Sequence, residues 1–210
     1  MYTPQHNRED NPEKLLAFMR AYSFATLVTA HGGMPKATHL PFVVDADTEQ
    51  LRLIAHMAKA NDQWRNFATG EQVLVIFQEP HAYISPRYYE RPLSVPTWNY
   101  VAVHAYGDVR ICDDFVDKVE IVKQLIRQTD SEYLKQFDAM PAEFVKAKLK
   151  GIVAFKIEVA ELQGRFKLSQ DRTRVEQQTI VDALSADGDN TRARIGQLMA
   201  QELNLPGQER

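Results

Sequence analysis

The segment HMAKANDQW, residues 56–64, places a lysine and several hydrogen-bonding side chains where a strand-like run gives way to a helical pattern. If a helix begins near Asn61 or Asp62, its free N–H groups and its partial positive charge face the preceding corner. Lys59 adds a full charge just before that helix. The segment therefore predicts a phosphate site. A solvated loop lysine beside an ordinary helix cap is the alternative, and spacing alone leaves both open.

Aromatic residues concentrate in two segments, PHAYISPRYY at 80–89 and VPTWNYVAVHAYG at 95–107. The first predicts a proline-fixed loop, whose rings either stack on a ligand or cover the core or a subunit interface. In the second, Trp98 and Asn99 stand at the mouth of a predicted strand. An indole beside an amide either holds a planar heterocycle or caps a barrel, and both interpretations stay open.

The segment RFKLSQDR, residues 165–172, packs three cations, a serine and an amide into a short stretch. That density suits an anionic ligand or a nucleic acid. A solvated connection between a strand and a helix has the same composition. The residues alone do not separate the two interpretations.

Several kinds of site are disfavoured by the spacing of reactive residues. The chain has six histidines, none spaced like the zinc pair of HExxH, so no metal site is predicted. A single cysteine, Cys112, excludes an intramolecular disulfide. The sequence also has no GxGxxG, no P-loop and no GxSxG, which argues against the common nucleotide-binding and hydrolase signatures.

The composition is that of a globular protein. Of the 210 residues, 44% are hydrophobic and 25% charged, and the formal net charge is −3. That charge gives no global basic field for nucleic acid. The polar start MYTPQHNRED lacks an apolar signal core, and no run approaches the roughly 20 apolar residues of a membrane helix. We therefore expect a cytoplasmic protein with no membrane partner.

The candidate residues lie among six predicted strands that are mostly joined by short turns. Such connections favour an antiparallel barrel or sandwich with helices around it, in an α+β, mainly β fold. A helical pattern at 113–150 interrupts the strands, and two short helices are expected after residue 172. The predicted strands are FATLVTA, KATHLPFVVD, LRLIAH, QVLVIFQ, YVAVHAYGDVRI and GIVAFKIEVAELQG.

Five segments in order resemble the PaiB-type family: ATHLPF, HMAKANDQW, PHAYISPRYY, VPTWNYVAVHAYG and FKLSQDR. The resemblance runs from Met1 to about Arg172 and extends toward the C-terminal helices. One departure is Asp62, which stands where the family has proline; both residue types start helices well.

This resemblance implies the split-barrel fold of FMN-binding proteins, which has six antiparallel strands. It implies a homodimer with FMN at the subunit interface, and a role as a negative transcriptional regulator. The expected organisation is a split-barrel domain at 1–170, with the helical insertion 113–150, followed by a C-terminal helical appendage at 171–210.

By analogy with the family, ten residues are expected at the flavin. The second strand lies along it, the corner at 56–64 takes its phosphate, an indole and an amide border its ring, and the last group approaches from the partner subunit. In that order they are Thr38 and His39; Lys59, Asn61 and Gln63; Trp98 and Asn99; and Lys167, Ser169 and Gln170.

Two other activities stay open beside the regulator hypothesis. The first is an FMN-dependent oxidoreductase, and the second is a haem-binding split barrel, although no histidine is marked as an axial ligand. DNA is a further expected partner. The C-terminal arginines that would face its phosphates alternate with carboxylates that would repel it: Arg172, Arg174, Arg192 and Arg194, against Glu176, Asp182, Asp187 and Asp189.

Overall fold

The structure, a computed structural model, describes residues 1–47 and 49–205. Within these ranges the helices are α1 Pro12–Ala21, α2 Phe115–Thr129, α3 Tyr133–Asp138, α4 Ala142–Leu149, α5 Arg174–Ser185 and α6 Asn190–Glu202. The strands are β1 Arg8–Glu9, β2 Phe24–His31, β3 Met34–Pro41, β4 Val43–Asp45, β5 Arg52–Ala58, β6 Val73–Ile84, β7 Thr97–Cys112 and β8 Ile152–Lys167. Short 3₁₀ helices cover Gln5–Asn7, Asp62–Thr69 and Pro86–Tyr88.

The strands form a sheet in the order β3–β2–β6–β7–β8–β5–β4, with β1 paired to β8. The pairs β2–β3, β2–β6, β4–β5, β5–β8 and β1–β8 are antiparallel. All six predicted strands are present, and the second is divided at Phe42 into β3 and β4. The described part of the sheet has eight strands because it also includes the very short β1 and β4. The predicted antiparallel, mainly β fold with helices is confirmed.

The chain forms two compact units, each assembled from separate segments. The first unit contains residues 1–15, 78–103 and 163–210, and the second contains 16–77 and 104–162. Strands β6, β7 and β8 each contribute residues to both units. The division into domains at residue 170 stays a prediction.

The core of the second unit is built on three phenylalanines that are fully buried. The Phe42 ring meets Phe77 at a centroid distance of 6.1 Å and Phe155 at 6.5 Å, both edge to face. This geometry suits the charge distribution of aromatic rings. The predicted helical insertion is present in this unit as α2, α3 and α4, and the Asp114 carboxylate caps α2 by accepting from Val116 N at 2.7 Å.

The predicted loop at 80–89 is partly wrong, because β6 continues as far as Ile84. Pro80, Ala82 and Ile84 are buried, whereas His81 and Tyr83 are exposed. That alternation has the period of two expected for a strand with one covered face. The two prolines of the segment favoured a loop, because proline removes a backbone donor from a sheet. Because the segment is instead part of β6, His81 and Tyr83 have fixed positions on one face of a strand.

The two predicted C-terminal helices are present in the first unit as α5 and α6. Their apolar residues pack together, including the fully buried Ile180 and Ile195. The helices approach closely at Gly196, where a Cβ atom would lie 2.9 Å from Ser185 Oγ. Thr173 and Glu176 form a capping box at the start of α5.

Candidate functional site

Gln63 is the buried centre of a hydrogen-bond network in the second unit. Its side chain is 1% exposed, and its Nε2 donates to Leu27 O at 3.2 Å and to Lys36 O at 3.1 Å. Its Oε1 accepts a hydrogen bond from Thr38 Oγ1. These bonds tie the start of the 3₁₀ helix at 62–69 to the β2–β3 hairpin, which gives the corner before the helix a fixed position.

Asn61 caps this 3₁₀ helix. Its Oδ1 accepts from Gln63 N at 3.1 Å, and its Nδ2 donates to Thr38 Oγ1 at 2.8 Å. The Gln63 N–H, which the sequence analysis assigned to a phosphate, is therefore bonded to the cap. Asn61, Gln63 and Thr38 thus hold the corner together through bonds within the chain.

Asp62, where the resemblance led us to expect proline, places a carboxylate at the same helix start. Asp62 Oδ2 pairs with Lys36 Nζ at 2.9 Å, and this hydrogen bond and the charge of Lys36 lower the pKa of Asp62. Asp62 therefore stays ionised near neutral pH, and its negative charge is favourable at the start of a helix. A carboxylate at this terminus makes it less suited to a second anion, and the positive charges at the corner come from Lys36 and Lys59.

Lys59 extends from this corner with its backbone held on both sides. Its N–H donates to Gly151 O at 2.8 Å, and its carbonyl accepts from Trp64 Nε1 at 3.0 Å. The lysine is exposed. Its ammonium also lies near Asp113, whose pKa is lowered mainly by the hydrogen bond from Lys118 and, to a smaller extent, by Lys59. Lys59 therefore carries a positive charge on a backbone that is held in a fixed position.

His39 and Thr38 point to opposite faces of β3, as successive strand residues do. His39 is exposed, its Nδ1 lies 2.9 Å from Thr26 Oγ1, and its ring stacks on Phe24 with centroids 6.5 Å apart. Thr38 instead bonds Gln63 and Asn61. A planar ligand on one face of β3 would thus meet the side chain of only one of the two.

An exposed aromatic cluster lies in the first unit and consists of Trp98, Tyr83 and His81. The indole is 53% exposed and meets the Tyr83 ring edge to face at a centroid distance of 5.9 Å. The His81 ring is tilted against the indole, also with centroids 5.9 Å apart. A shallow cavity of about 230 Å³ is lined by Trp98, His81, Gln78 and Tyr100. Trp98 was predicted from the sequence, but His81 and Tyr83 were not, because only the strand alternation of β6 places them beside the indole.

Lys167 is fixed at the base of this aromatic cluster. Its Nζ donates to Trp98 O at 2.8 Å and to Thr97 Oγ1. Burial, and then the charge of Arg165, lowers the pKa of Lys167. The Arg165 guanidinium lies 5.2 Å from the centroid of Tyr100, so a second cation stands beside an aromatic ring of the same unit. Lys167 thus contacts Trp98 of its own chain.

Asn99, Ser169 and Gln170 have their polar groups turned inward. Asn99 is 0% exposed and Ser169 is 4% exposed, and their side chains bond each other. Gln170 Oε1 accepts from Leu168 N at 2.8 Å, and its Nε2 donates to Phe166 O. These three side chains therefore bond within the protein and stabilise the backbone after Lys167. Of the residues predicted at 167–170, Lys167 has its ammonium bonded to Trp98.

In residues 1–47 and 49–205, no cluster of three or more His, Cys, Asp or Glu side chains is arranged to hold a metal ion. None of the helices in those ranges is both long and apolar enough to cross a membrane.

Solved structures with a similar fold include flavin and haem proteins. The flavocytochrome Anf3 from Azotobacter vinelandii has a TM-score of 0.63 at 12% identity, covering 79% of this chain and 72% of that one. The FAD and heme binding protein from Mycobacterium smegmatis has a TM-score of 0.61 at 13% identity, covering 77% and 73%. At this identity the likeness concerns the fold alone, and it confirms the split-barrel fold.

Sequence comparison gives the family. The chain is 36% identical over 206 residues to the "Protease synthase and sporulation protein PAI 2" of Bacillus subtilis (strain 168), covering 97% of this chain and 98% of that one. It is 31% identical over 174 residues to an uncharacterised protein of Emericella nidulans, covering 65% and 69%. Residues 1–161 match the family model described as "Putative FMN-binding domain". The chain therefore belongs to this FMN-binding family, together with the Bacillus protein of the PaiB type, and FMN is its cofactor.

Proposed function

We propose that the aromatic cluster of Trp98, Tyr83 and His81 contacts the isoalloxazine ring of FMN. The observation that carries this proposal is an indole that is 53% exposed yet held by two neighbouring rings. Leaving so much apolar surface in water is unfavourable, and a planar ligand that covers it recovers that free energy. The residues therefore fit the ring of the cofactor.

Lys167 supplies the matching electrostatics for this proposal. Its ammonium is bonded to Trp98 O and partly buried, and burial lowers its pKa. A fixed positive charge next to the ring stabilises electron density that accumulates there. When bound, FMN supplies one- and two-electron redox chemistry, which belongs to the cofactor itself. The role of Lys167 is to hold a cation at a constant position beside it.

Lys59 is proposed to bind the FMN phosphate, and Asn61, Gln63 and Thr38 to position Lys59. The network around Gln63 keeps the corner rigid, which lowers the entropy that Lys59 loses on binding. Asn61 and Gln63, which were expected to bind the phosphate directly, thus have a supporting role in this proposal. His39, on the opposite face of β3 from Thr38, remains a proposed contact of the flavin.

A homodimer with FMN at its subunit interface is part of the same proposal. Strand β3 is at one end of the sheet order, and most of its residues are exposed. Nearby apolar residues are exposed as well, with Phe24 at 69% and Met34 at 68%. A strand at the end of a sheet offers unpaired backbone groups, and proteins commonly cover such edges. A second copy of the chain on β3 would cover both the backbone and the apolar side chains.

A transcriptional regulator is the second candidate, and it rests on the resemblance to the PaiB-type family, to which the Bacillus relative belongs. The C-terminal arginines give it no support. Arg192 pairs with Asp187 at 3.2 Å, and Arg174 donates to Leu203 O. Bonds of this kind occupy cations that DNA phosphates would need. A labelled promoter fragment that shifts specifically, and less so at higher salt, would support this candidate, which also requires the predicted cytoplasmic location.

An FMN-dependent oxidoreductase and a haem-binding protein are the remaining alternatives. A purified protein that oxidises NADH or NADPH faster with bound FMN than free FMN does would support the first. A saturable change in the haem spectrum on titration would support the second. If neither result is obtained, the protein binds FMN without either of these two activities. Such a case is common, because one fold serves many functions.

The experiment that tests the proposed FMN contacts is a fluorescence titration of FMN against the full chain and two variants. Trp98→Ala should weaken FMN binding about tenfold, because one stacked aromatic ring is lost. The matched control is Leu93→Ala, at a side chain that is 98% exposed in the same unit. Equal affinity in Trp98→Ala and Leu93→Ala would refute the role of the aromatic cluster, and no binding to the wild type would refute the whole proposal.

A further inference from the structure

A second cavity lies in the second unit, among the helices of the insertion. It has a volume of about 390 Å³. Most of its wall is apolar: α2 contributes Val122, α3 contributes Phe137, α4 contributes Phe144 and Leu149, and Met140 and Ile152 complete it. Ligand cavities in proteins are typically about 300–1,000 Å³ and mainly apolar, so this one has the size and lining for a small organic molecule.

The walls of this cavity keep apolar surface in contact with water. Val122, Phe137, Met140 and Ile152 are each only half-buried, and Phe144 is 49% exposed. These side chains come from different elements and converge on one space, which distinguishes them from apolar residues scattered singly over a surface. An apolar ligand of matching size would remove this shared surface from water.

Three of the described residues that line the cavity carry polar groups, namely Lys148, His56 and Tyr133. Lys148 is the one charged residue among the described residues that line it, and its ammonium lies 5.3 Å from the centroid of the Phe144 ring. His56 also lines the cavity; burial lowers its pKa, so its imidazole is neutral near pH 7. Its buried Nδ1 has no hydrogen-bond partner within the described part of the chain. A single cation beside neutral apolar walls selects for a single negative charge.

We propose that this cavity binds a small apolar monocarboxylate, with its hydrocarbon part among Phe137, Met140 and Ile152 and its carboxylate on Lys148. A neutral hydrocarbon would bury the Phe144 ring while leaving the ammonium without a partner. A phosphate would bring about two charges to one lysine. A carboxylate matches the ammonium in charge, and its strong acceptor oxygens suit a charge-assisted hydrogen bond. None of the described residues that line this cavity is among those proposed for FMN.

The test is isothermal titration calorimetry of the full chain, with saturating FMN present, against sodium octanoate and against 1-octanol. Octanol has the same chain length without the charge. Three variants accompany the wild type. Lys148→Met removes the ammonium and keeps the stem, and Val122→Phe fills the cavity from α2. Lys146→Met is the matched control, an exposed lysine on the same helix that does not line this cavity.

We expect octanoate to bind the wild type, and Lys148→Met to weaken that binding about tenfold while leaving octanol unchanged. Val122→Phe should abolish binding of both compounds, whereas Lys146→Met should behave like the wild type. FMN affinity should be the same in all four proteins, which separates this proposal from the assignment of the flavin contacts. The proposal is overturned by three results: no saturable heat with octanoate, equal weakening by Lys146→Met and Lys148→Met, or unchanged binding in a folded Val122→Phe.

Discussion

Asn99 and Ser169, which are far apart in the sequence, exchange hydrogen bonds inside the first unit. Asn99 Nδ2 donates to Ser169 Oγ at 3.0 Å, and Ser169 Oγ lies 3.1 Å from Asn99 Oδ1, to which its hydroxyl can donate. Ser169 has a positive φ of 61°, and its carbonyl accepts from Gln177 Nε2 at 3.1 Å. The serine thus joins β7, the end of β8 and α5 through one strained backbone position.

Two substitutions at Ser169 separate its hydrogen bond from its backbone strain. Ser169→Ala should lower the free energy of unfolding by about 1–3 kcal/mol, because the buried Asn99 amide loses a partner. Ser169→Gly loses the same bond but adopts a positive φ without steric cost, so it should be about 1 kcal/mol more stable than Ser169→Ala. Urea unfolding monitored by circular dichroism measures both. An alanine variant as stable as the glycine variant would show that strain at this position is negligible.

Gln63→Met tests the network that fixes the corner before the 3₁₀ helix. Methionine has a similar length but leaves Leu27 O and Lys36 O without the donors that they now have. We expect a loss of about 1–3 kcal/mol in the free energy of unfolding. Gln72→Met, at an exposed position, is the control and should be nearly neutral. If the two variants unfold at the same urea concentration, the network contributes little to stability.

The buried His56 should make the free energy of unfolding depend on pH. Burial lowers its pKa in the folded state below the ordinary value of about 6.5. As the pH falls through that ordinary value, the unfolded chain takes up a proton that the folded chain does not, so the free energy of unfolding decreases. The decrease ends once the pH is below the folded-state pKa, where both states are protonated. The stability contributed by neutral His56 is thus present above about pH 6.5.

The measurement for His56 compares thermal unfolding of the wild type and His56→Gln between pH 8 and pH 5. The variant should lose less stability than the wild type over this range, because glutamine does not titrate. His31→Gln, at the exposed hairpin turn, is the control. A pH profile for His56→Gln that runs parallel to the wild-type profile would contradict the assignment.

Lys59→Ala should weaken FMN binding about tenfold at low salt, through loss of a charge-assisted contact with the phosphate. Because the lysine is exposed, the difference from the wild type should shrink as the salt concentration rises. Lys135→Ala, an exposed lysine on α3, is the control. Riboflavin, which lacks the phosphate, should bind Lys59→Ala and the wild type equally; a selective loss of riboflavin would place Lys59 elsewhere on the ligand.

Much of the fold was predictable because its signals are local. Pro12 follows the capping residue Asn11 at the start of α1, and Gly70 ends the 3₁₀ helix with a φ of 72°. The alternation in β8 is equally local. Helix α3 lies inside the predicted helical pattern at 113–150, but its bounds could not be predicted, because its six residues carry no side-chain cap and too few turns to show a period.

The candidate site was harder to predict because residue type does not specify which way a side chain points. Lys59 and Trp98 are exposed, as a ligand contact requires. Asn99, Gln63 and Ser169 have equally polar side chains, but they bond within the protein. Whether an amide faces a ligand or a backbone carbonyl depends on pairs such as Gln63 with Leu27, which only tertiary packing creates.

The pairing of β1 with β8 delays part of folding until late in the synthesis of the chain. Arg8 lies opposite Arg165, so the first strand has no partner until 157 further residues have been added. At about 5–20 residues per second, that interval is roughly 8–30 s on the ribosome. Residues 16–77 can meanwhile form the β2–β3 hairpin and its pairing with β6, since these contacts lie within a shorter stretch. The first unit is thus completed late, and a ribosome stalled before residue 165 would display a nascent chain with its N-terminal strand still unpaired.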